Sequence, residues 1–207
     1  MTTVFAKRPP SGNSGLHATG YQRWGKRLLD IALAVPAAMI SSPVAIAIAI
    51  AIGIEDGPPV LFRQERIGRD GTTFELFKFR SMPVDTPSVP SAEATALRST
   101  RVGSVIRRLS LDELPQLMNI LRGDMSLVGP RPPLAAQFAL IEVRRRNNSL
   151  SLKPGLTGLA QVKSYDGMPE SEKAFWDGTY AEQVSFTLDA RLLAKTVRYL
   201  LRRPPQY

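Results

Sequence analysis

The chain has 207 residues, a formal net charge of +9, no cysteine and a single histidine, His17, set in a Ser/Gly-rich stretch. That length suits one domain with a real core and one elaboration, and the basic excess asks for an anionic partner: nucleic acid, anionic lipid or a phosphorylated small molecule. Disulfides, thiol nucleophiles and cysteine zinc sites are excluded, so nucleophile and proton chemistry falls mainly to Asp, Glu, Ser, Thr, Lys and Tyr.

Residues 1–20 are rich in Gly, Pro and Ser and are expected to form a disordered tail. From Ile31 to Ile54 the chain reads IALAVPAAMISSPVAIAIAIAIGI, 24 residues without a charge. As one straight helix this run measures roughly 36 Å, enough to cross a bilayer. Ser41-Ser42-Pro43 lies at its middle, where Pro43 removes a backbone donor and predicts a bend. Arg23, Lys26 and Arg27 precede the run and Arg63, Arg66 and Arg69 follow it. Three arrangements suit it: a re-entrant hairpin, a kinked span, or a helix pair buried in a soluble core. Basic flanks on both sides favour the re-entrant form, which enters and leaves by one face. The membrane element is therefore taken as 21–56, and the rest of the domain as 57–207.

PVLFRQERIG and TTFELFKFRSM are β-rich and flank Arg69-Asp70-Gly71, predicting a hairpin. The three-proline tract 83–94 reads as a surface loop. Helices are expected at about 96–108 and through 114–123, the second ending at Gly123. VGPRPPL (128–134) predicts a rigid turn that fixes Arg131. Residues 135–147 look helical, and KPGLTGLAQV (153–162) reads as a Gly-punctuated loop leading into a short strand. In the last segment Leu188, Leu192, Val197, Leu200 and Leu201 mark one helical face and Arg191, Lys195, Arg198 and Arg202 another. Such a helix either lies on anionic lipid or packs on the domain. Together the elements predict a helix-rich α+β fold: a re-entrant helix-break-helix membrane anchor, a small β-hairpin and amphipathic interfacial helices. With no RNA- or DNA-reading motif, nucleic acid is set aside as a partner.

The stretch RRLSLDELPQ (107–116) holds an acidic pair, Asp112 and Glu113, among basic residues. One reading makes Ser110-Leu111-Asp112-Glu113 a capping box, or Asp112 a later cap. The other makes the pair chemical, because a carboxylate can attack phosphorus once phosphate charge is neutralised. Arg107, Arg108, Arg122, Arg131, Lys78 and Arg80 are the available neutralisers, and Glu113 is of a type to hold a hard cation such as Mg²⁺.

SLDELPQLMNILRGDMSLVGPRP, with KRLLDIALA, the SSP break, FKFRSM and KPGLTGLAQV, closely resembles the bacterial sugar transferases, the monotopic polyprenyl-phosphate phosphoglycosyl transferases, in their small form. The resemblance covers about residues 24–203. It implies a re-entrant helix broken at Ser42-Pro43 and a catalytic domain on the cytoplasmic face of the bacterial inner membrane, resting on anionic inner-leaflet lipids. It implies transfer of a sugar phosphate from a UDP-sugar to polyprenyl phosphate with release of UMP, initiating glycoconjugate synthesis. By the same resemblance Asp112 is the nucleophile and Glu113 the Mg²⁺ ligand, with Asp112 beside it. Arg107 and Arg131 fall on phosphate-binding positions, with Lys78 and Arg80 as further candidates. Where many members read AQVNGR, this chain reads Ala160-Gln161-Val162-Lys163-Ser164-Tyr165. Either Tyr165 or Lys163 replaces the missing arginine, or the donor sugar differs. A silent membrane-associated scaffold is the competing class, and a homo-oligomer is left open.

Overall fold

The apolar run folds as one helix, α1 (Lys26–Asp56), entered through a π-turn at Tyr21–Gly25. The computed structural model describes residues 20–84, 86, 99–165 and 167–202. The expected tail, Gly20 apart, and most of the 83–94 loop lie outside the described residues. Measured along a straight axis, α1 would be about 46 Å long. It carries through Ser42-Pro43 without ending, and its ladder is interrupted there at one carbonyl. Pro43 has no N–H to give Met39, and the Ser42 hydroxyl donates to Met39 O instead at 2.8 Å. The serine before the proline thus supplies the lost donor, which matters where the surroundings offer no water.

Only a narrow stripe of α1 is covered. Asp30, Ala34, Ile48 and Ile52 are buried, whereas Ile31, Leu33, Met39, Ile40, Val44, Ile46, Ile50 and Ile54 are exposed. In its most apolar 18-residue window 11% is buried, the opposite of a soluble core helix. Length, composition and bare apolar sides together make α1 a membrane-associated helix, and the buried soluble pair does not fit.

Next come β1 (Leu61–Ile67) and β2 (Thr73–Phe79), antiparallel with Leu61 opposite Phe79 and Ile67 opposite Thr73. The expected turn closes them, with Asp70 at φ 56° and Gly71 at φ 83°. Helix α2 (Arg101–Arg108) is shorter than expected and begins at a true cap, the Thr100 hydroxyl accepting from Gly103 N at 2.9 Å. A 3₁₀ turn at Leu111–Glu113 leads to α3 (Gln116–Arg122), which ends as expected at Gly123, φ 96°. Strand β3 (Ser126–Val128) pairs in parallel with β4 (Gly155–Thr157). These strands approach so closely that a Cβ on Gly155 would lie 2.1 Å from Gly129 N, which only glycine avoids. Helix α4 (Phe138–Arg146) lies between them in sequence.

One expectation is corrected here: the strand falls within GLT, and the residues after it form a helix, α5 (Leu159–Lys163). Pairing with β3 places the extended segment at Gly155, and Val162 N then bonds Gly158 O in helical fashion. Helices α6 (Glu170–Gln183) and α7 (Phe186–Arg202) complete the fold. Leu192 and Asp189 of α7 are buried and Leu188 packs on the core, while Val197 is exposed, so the first part of this helix is ordinary packing.

Both ends of α1 are seated on the same domain. At its start Arg27 donates to the terminal carbonyls of α3, Ile120 and Leu121, where a cation also suits the helix dipole. Asp30 accepts from Ser126 Oγ at 3.0 Å and Leu127 N at 2.9 Å, and Lys26 pairs with Asp189 at 2.7 Å. At its end Ile48 and Ile52 pack with Phe79 and Ile106, and the Glu55 carboxylate accepts from Arg101 N and Val102 N, capping α2 from outside.

Asn119 joins α3 to the hairpin. Fully buried, it accepts from Phe77 N at 3.1 Å and donates to Glu75 O at 2.7 Å, standing in for a third strand beside β2. Asn119→Ala leaves a buried donor and a buried acceptor unpaired, at about 1–3 kcal/mol each. Denaturant or thermal unfolding in detergent should therefore show a loss of about 2–6 kcal/mol. A loss below about 0.5 kcal/mol would mean that other groups replace both bonds.

Candidate active site

The acidic pair sits in the 3₁₀ turn before α3, and it caps nothing. Ser110 is left-handed at φ 55° with no capping bond from its side chain, and Pro115 is the residue preceding α3. The capping box is therefore not formed, because Pro115 delays the helix until the pair has already passed. The carboxylates face basic groups brought from elsewhere in the chain.

Lys78, near the end of β2, donates to Glu113 Oε1 at 2.9 Å, and Arg131 Nη2 donates to the same oxygen at 3.0 Å. Lys78 Nζ lies 3.8 Å from Asp112 Oδ2, within reach as a charge but too far for a hydrogen bond. The side chains of Asp112 and Glu113 are 14% and 21% exposed. Burial alone would push the Glu113 carboxyl up, but Lys78 and then Arg131 outweigh it and hold it at about 2. Burial also pushes Asp112 up. Lys78 draws it back and Glu113 adds to the rise, and the net direction is upward. Adjacent in sequence, the two carboxylates thus differ in kind: one a locked anion, the other desolvated and more basic.

Other sequence-predicted residues separate. Arg107 donates to Ser99 Oγ at 3.3 Å, and its charge is felt by Asp112. Arg80 is buried away from the pair, donating to the carbonyls of Asp56 and Gly57 at 2.8 and 2.7 Å, where it closes the end of α1. Arg122 stacks over Phe77 at 4.8 Å. Ser42 and Pro43 lie mid-way along α1. In the variant segment, Tyr165 donates to Glu172 and Lys163 lies over the Trp176 ring, so both are engaged with α6.

One contributor was hidden in the sequence. Arg66 is 8% exposed, donates from Nη1 to Pro132 O at 3.2 Å, and lies close enough to Arg131 and Glu113 to feel both. Burial, then Arg131, pushes its guanidinium down to about 10. In the sequence it reads as one more flanking charge; only the hairpin register turns it inward.

The family model described as "Bacterial sugar transferase" matches residues 21–203. A Bacillus subtilis (strain 168) protein named "Uncharacterized sugar transferase EpsL" is 37% identical over 85% of this chain and 87% of its own. The Caulobacter vibrioides "UDP-glucose:undecaprenyl-phosphate glucose-1-phosphate transferase" is 39% identical, over 88% of this chain and 72% of its own. The Aeromonas hydrophila "UDP-N-acetylgalactosamine-undecaprenyl-phosphate N-acetylgalactosaminephosphotransferase" is 38% identical, over 85% of this chain but 43% of its own. A membrane-seated helix and a carboxylate pair wrapped in basic side chains accord with these names, and the chain belongs to the bacterial sugar transferase family. It is a transferase, which removes the silent scaffold from consideration.

The two carboxylates should respond oppositely to neutralisation. The folded-state value of Asp112 is raised, so its charge weighs against folding once pH exceeds that value. Asp112→Asn should raise the melting temperature at pH 7. The Glu113 value is lowered, so its stabilising contribution is complete above about 4.5 and fades as pH falls toward about 2. Glu113→Gln should destabilise at pH 7 by about 1.5–3 kcal/mol, the loss of charged hydrogen bonds to Lys78 and Arg131. Thermal melts of both variants at pH 7 decide this. Equal destabilisation would show that the pair is held as a unit, like a cap.

Proposed function

We propose that this transferase moves a sugar phosphate from a UDP-sugar to polyprenyl phosphate in two displacements, with Asp112 as the nucleophile. The observation that carries this reading is the division of labour at Lys78: its hydrogen bond goes to Glu113, leaving the Asp112 carboxylate desolvated beside a positive charge. In the first displacement an Asp112 oxygen bonds to the sugar-bearing phosphorus, and the bond to the UMP oxygen breaks, UMP departing with the electron pair. In the second a polyprenyl-phosphate oxygen bonds to that phosphorus, and Asp112 leaves as a carboxylate. Lys78 and Arg131 offset the charge of the diphosphate, and Arg107 adds to the field around Asp112.

Mg²⁺ fits these residues. Among the described residues there is no group of three acidic or histidine side chains, but Mg²⁺ is commonly held by one or two carboxylates with substrate phosphates and water completing its shell. Glu113, with Asp112 beside it, would hold the ion, which when bound supplies positive charge at the diphosphate.

The re-entrant arrangement is supported by α1 having both ends on one domain, for a span would carry them to opposite faces. The basic flanks support a domain on the cytoplasmic side of the inner membrane, against anionic lipid.

Incubation with UDP-sugar and Mg²⁺ but without polyprenyl phosphate should add one phosphosugar to the intact protein mass, and Asp112→Asn should abolish both the adduct and turnover. Turnover by Asp112→Asn at more than about a tenth of the wild-type rate would defeat the mechanism, since loss of a covalent nucleophile costs orders of magnitude. For topology, single cysteines in place of Arg23 and Thr72 should react with an impermeant reagent from the same side of sealed vesicles. Labelling from opposite sides would establish a span.

A further inference from the structure

The turn that carries Arg131 has few donors of its own, because Pro130, Pro132 and Pro133 lack N–H. Four successive carbonyls are nevertheless each held by a different group. Pro130 O accepts from Gly155 N at 2.8 Å and Arg131 O from Arg144 Nη1 at 2.8 Å. Pro132 O accepts from Arg66 Nη1 at 3.2 Å and Pro133 O from Ile67 N at 3.0 Å.

Of these donors Arg144 is the one that reaches the Arg131 carbonyl itself. It comes from α4 with 3% of its surface exposed, and its other edge is held by Asp177 of α6, 1% exposed. Nε and Nη2 of Arg144 meet Asp177 Oδ2 at 2.9 and 2.6 Å. A continuous path therefore runs from Asp177 through Arg144 to the Arg131 backbone, and from the Arg131 guanidinium to Glu113.

Two charges this deeply buried are a poor way to gain stability alone, since apolar residues of similar volume commonly pack as well or better. Their value lies in direction. A planar guanidinium can bind a carboxylate along one edge and still point a third N–H at a chosen carbonyl, which a lysine cannot do. We propose that Arg144, seated by Asp177, is a positioning residue for the transfer. It touches no substrate; it fixes the Arg131 backbone so that the guanidinium meets Glu113 and the incoming phosphate in one geometry. This rests on the reading of Arg131, Asp112 and Glu113 as the reacting site.

The test is a double-mutant cycle on the full chain in detergent or nanodiscs, with UMP release measured per folded molecule: wild type, Arg144→Lys, Arg131→Met and the double variant. Arg144→Lys should lower kcat/KM by about 10–100-fold, the effect of misplacing a binding group. In the Arg131→Met background the same change should cost no more than about twofold. If Arg144→Lys does not fold, Asp177→Asn takes its place in the cycle with the same expectation. Losses that multiply independently would overturn the proposal, as would a lower melting temperature with kcat/KM unchanged. Wild-type turnover by Arg131→Met alone would instead count against the reading of the site on which the proposal rests.

Discussion

Lys78 has one good hydrogen bond to offer the acidic pair, and it goes to Glu113. The difference between the two carboxylates follows from that allocation, and much of the surrounding structure maintains it. The hairpin register sets Lys78 opposite Phe62 and brings it to the turn before α3. Asn119 bonds the backbone of β2 from α3, so the strand bearing Lys78 and the segment bearing the pair move together. Arg131 supplies the second bond to Glu113 from a turn made rigid by its prolines. Were either cation to shift toward Asp112, that carboxylate would lose the basicity that burial lends it.

The same short segment is bracketed by the membrane helix. Arg27 binds the last carbonyls of α3, and Ile48 and Ile52 belong to the cluster that includes Leu111 and Leu114 on either side of the acidic pair. Both ends of α1 are thus coupled to one stretch of about a dozen residues. Anchor and chemistry are not separate modules joined by a linker.

Much of this was readable in the chain because the signals were local. Asp70-Gly71 between β-rich stretches predicts a hairpin, Gly123 a helix end, and the prolines around Arg131 an irregular, fixed turn; all three appear. The acidic pair could be found but not disposed, since Ser-Leu-Asp-Glu satisfies a capping pattern and only the left-handed Ser110 and the delayed start of α3 break it. Arg66, Arg144 and Asp177 could not be found at all. Each is a charge in a charged neighbourhood, and what sets it apart is burial against a partner at least 30 residues away or on another element. Likewise Asp189 reads as polar surface on the last helix, yet it lies at the centre of a buried cluster with Tyr21, Lys26 and Tyr180.

Asp30 and Arg27 carry a consequence for how this enzyme can be handled. They are charged side chains on a membrane helix, yet each completes the domain: one accepts from the backbone and side chain of β3, the other closes the last carbonyls of α3. Cutting away residues 21–56 would expose Ile106 and Phe79, strip Ser126 and Leu127 of their acceptor and take the Asp56 carbonyl from Arg80. No water-soluble catalyst is stored inside this chain awaiting release by truncation. The lipid-facing helix is a wall of the building, and the enzyme must be purified, assayed and inhibited with that wall in place.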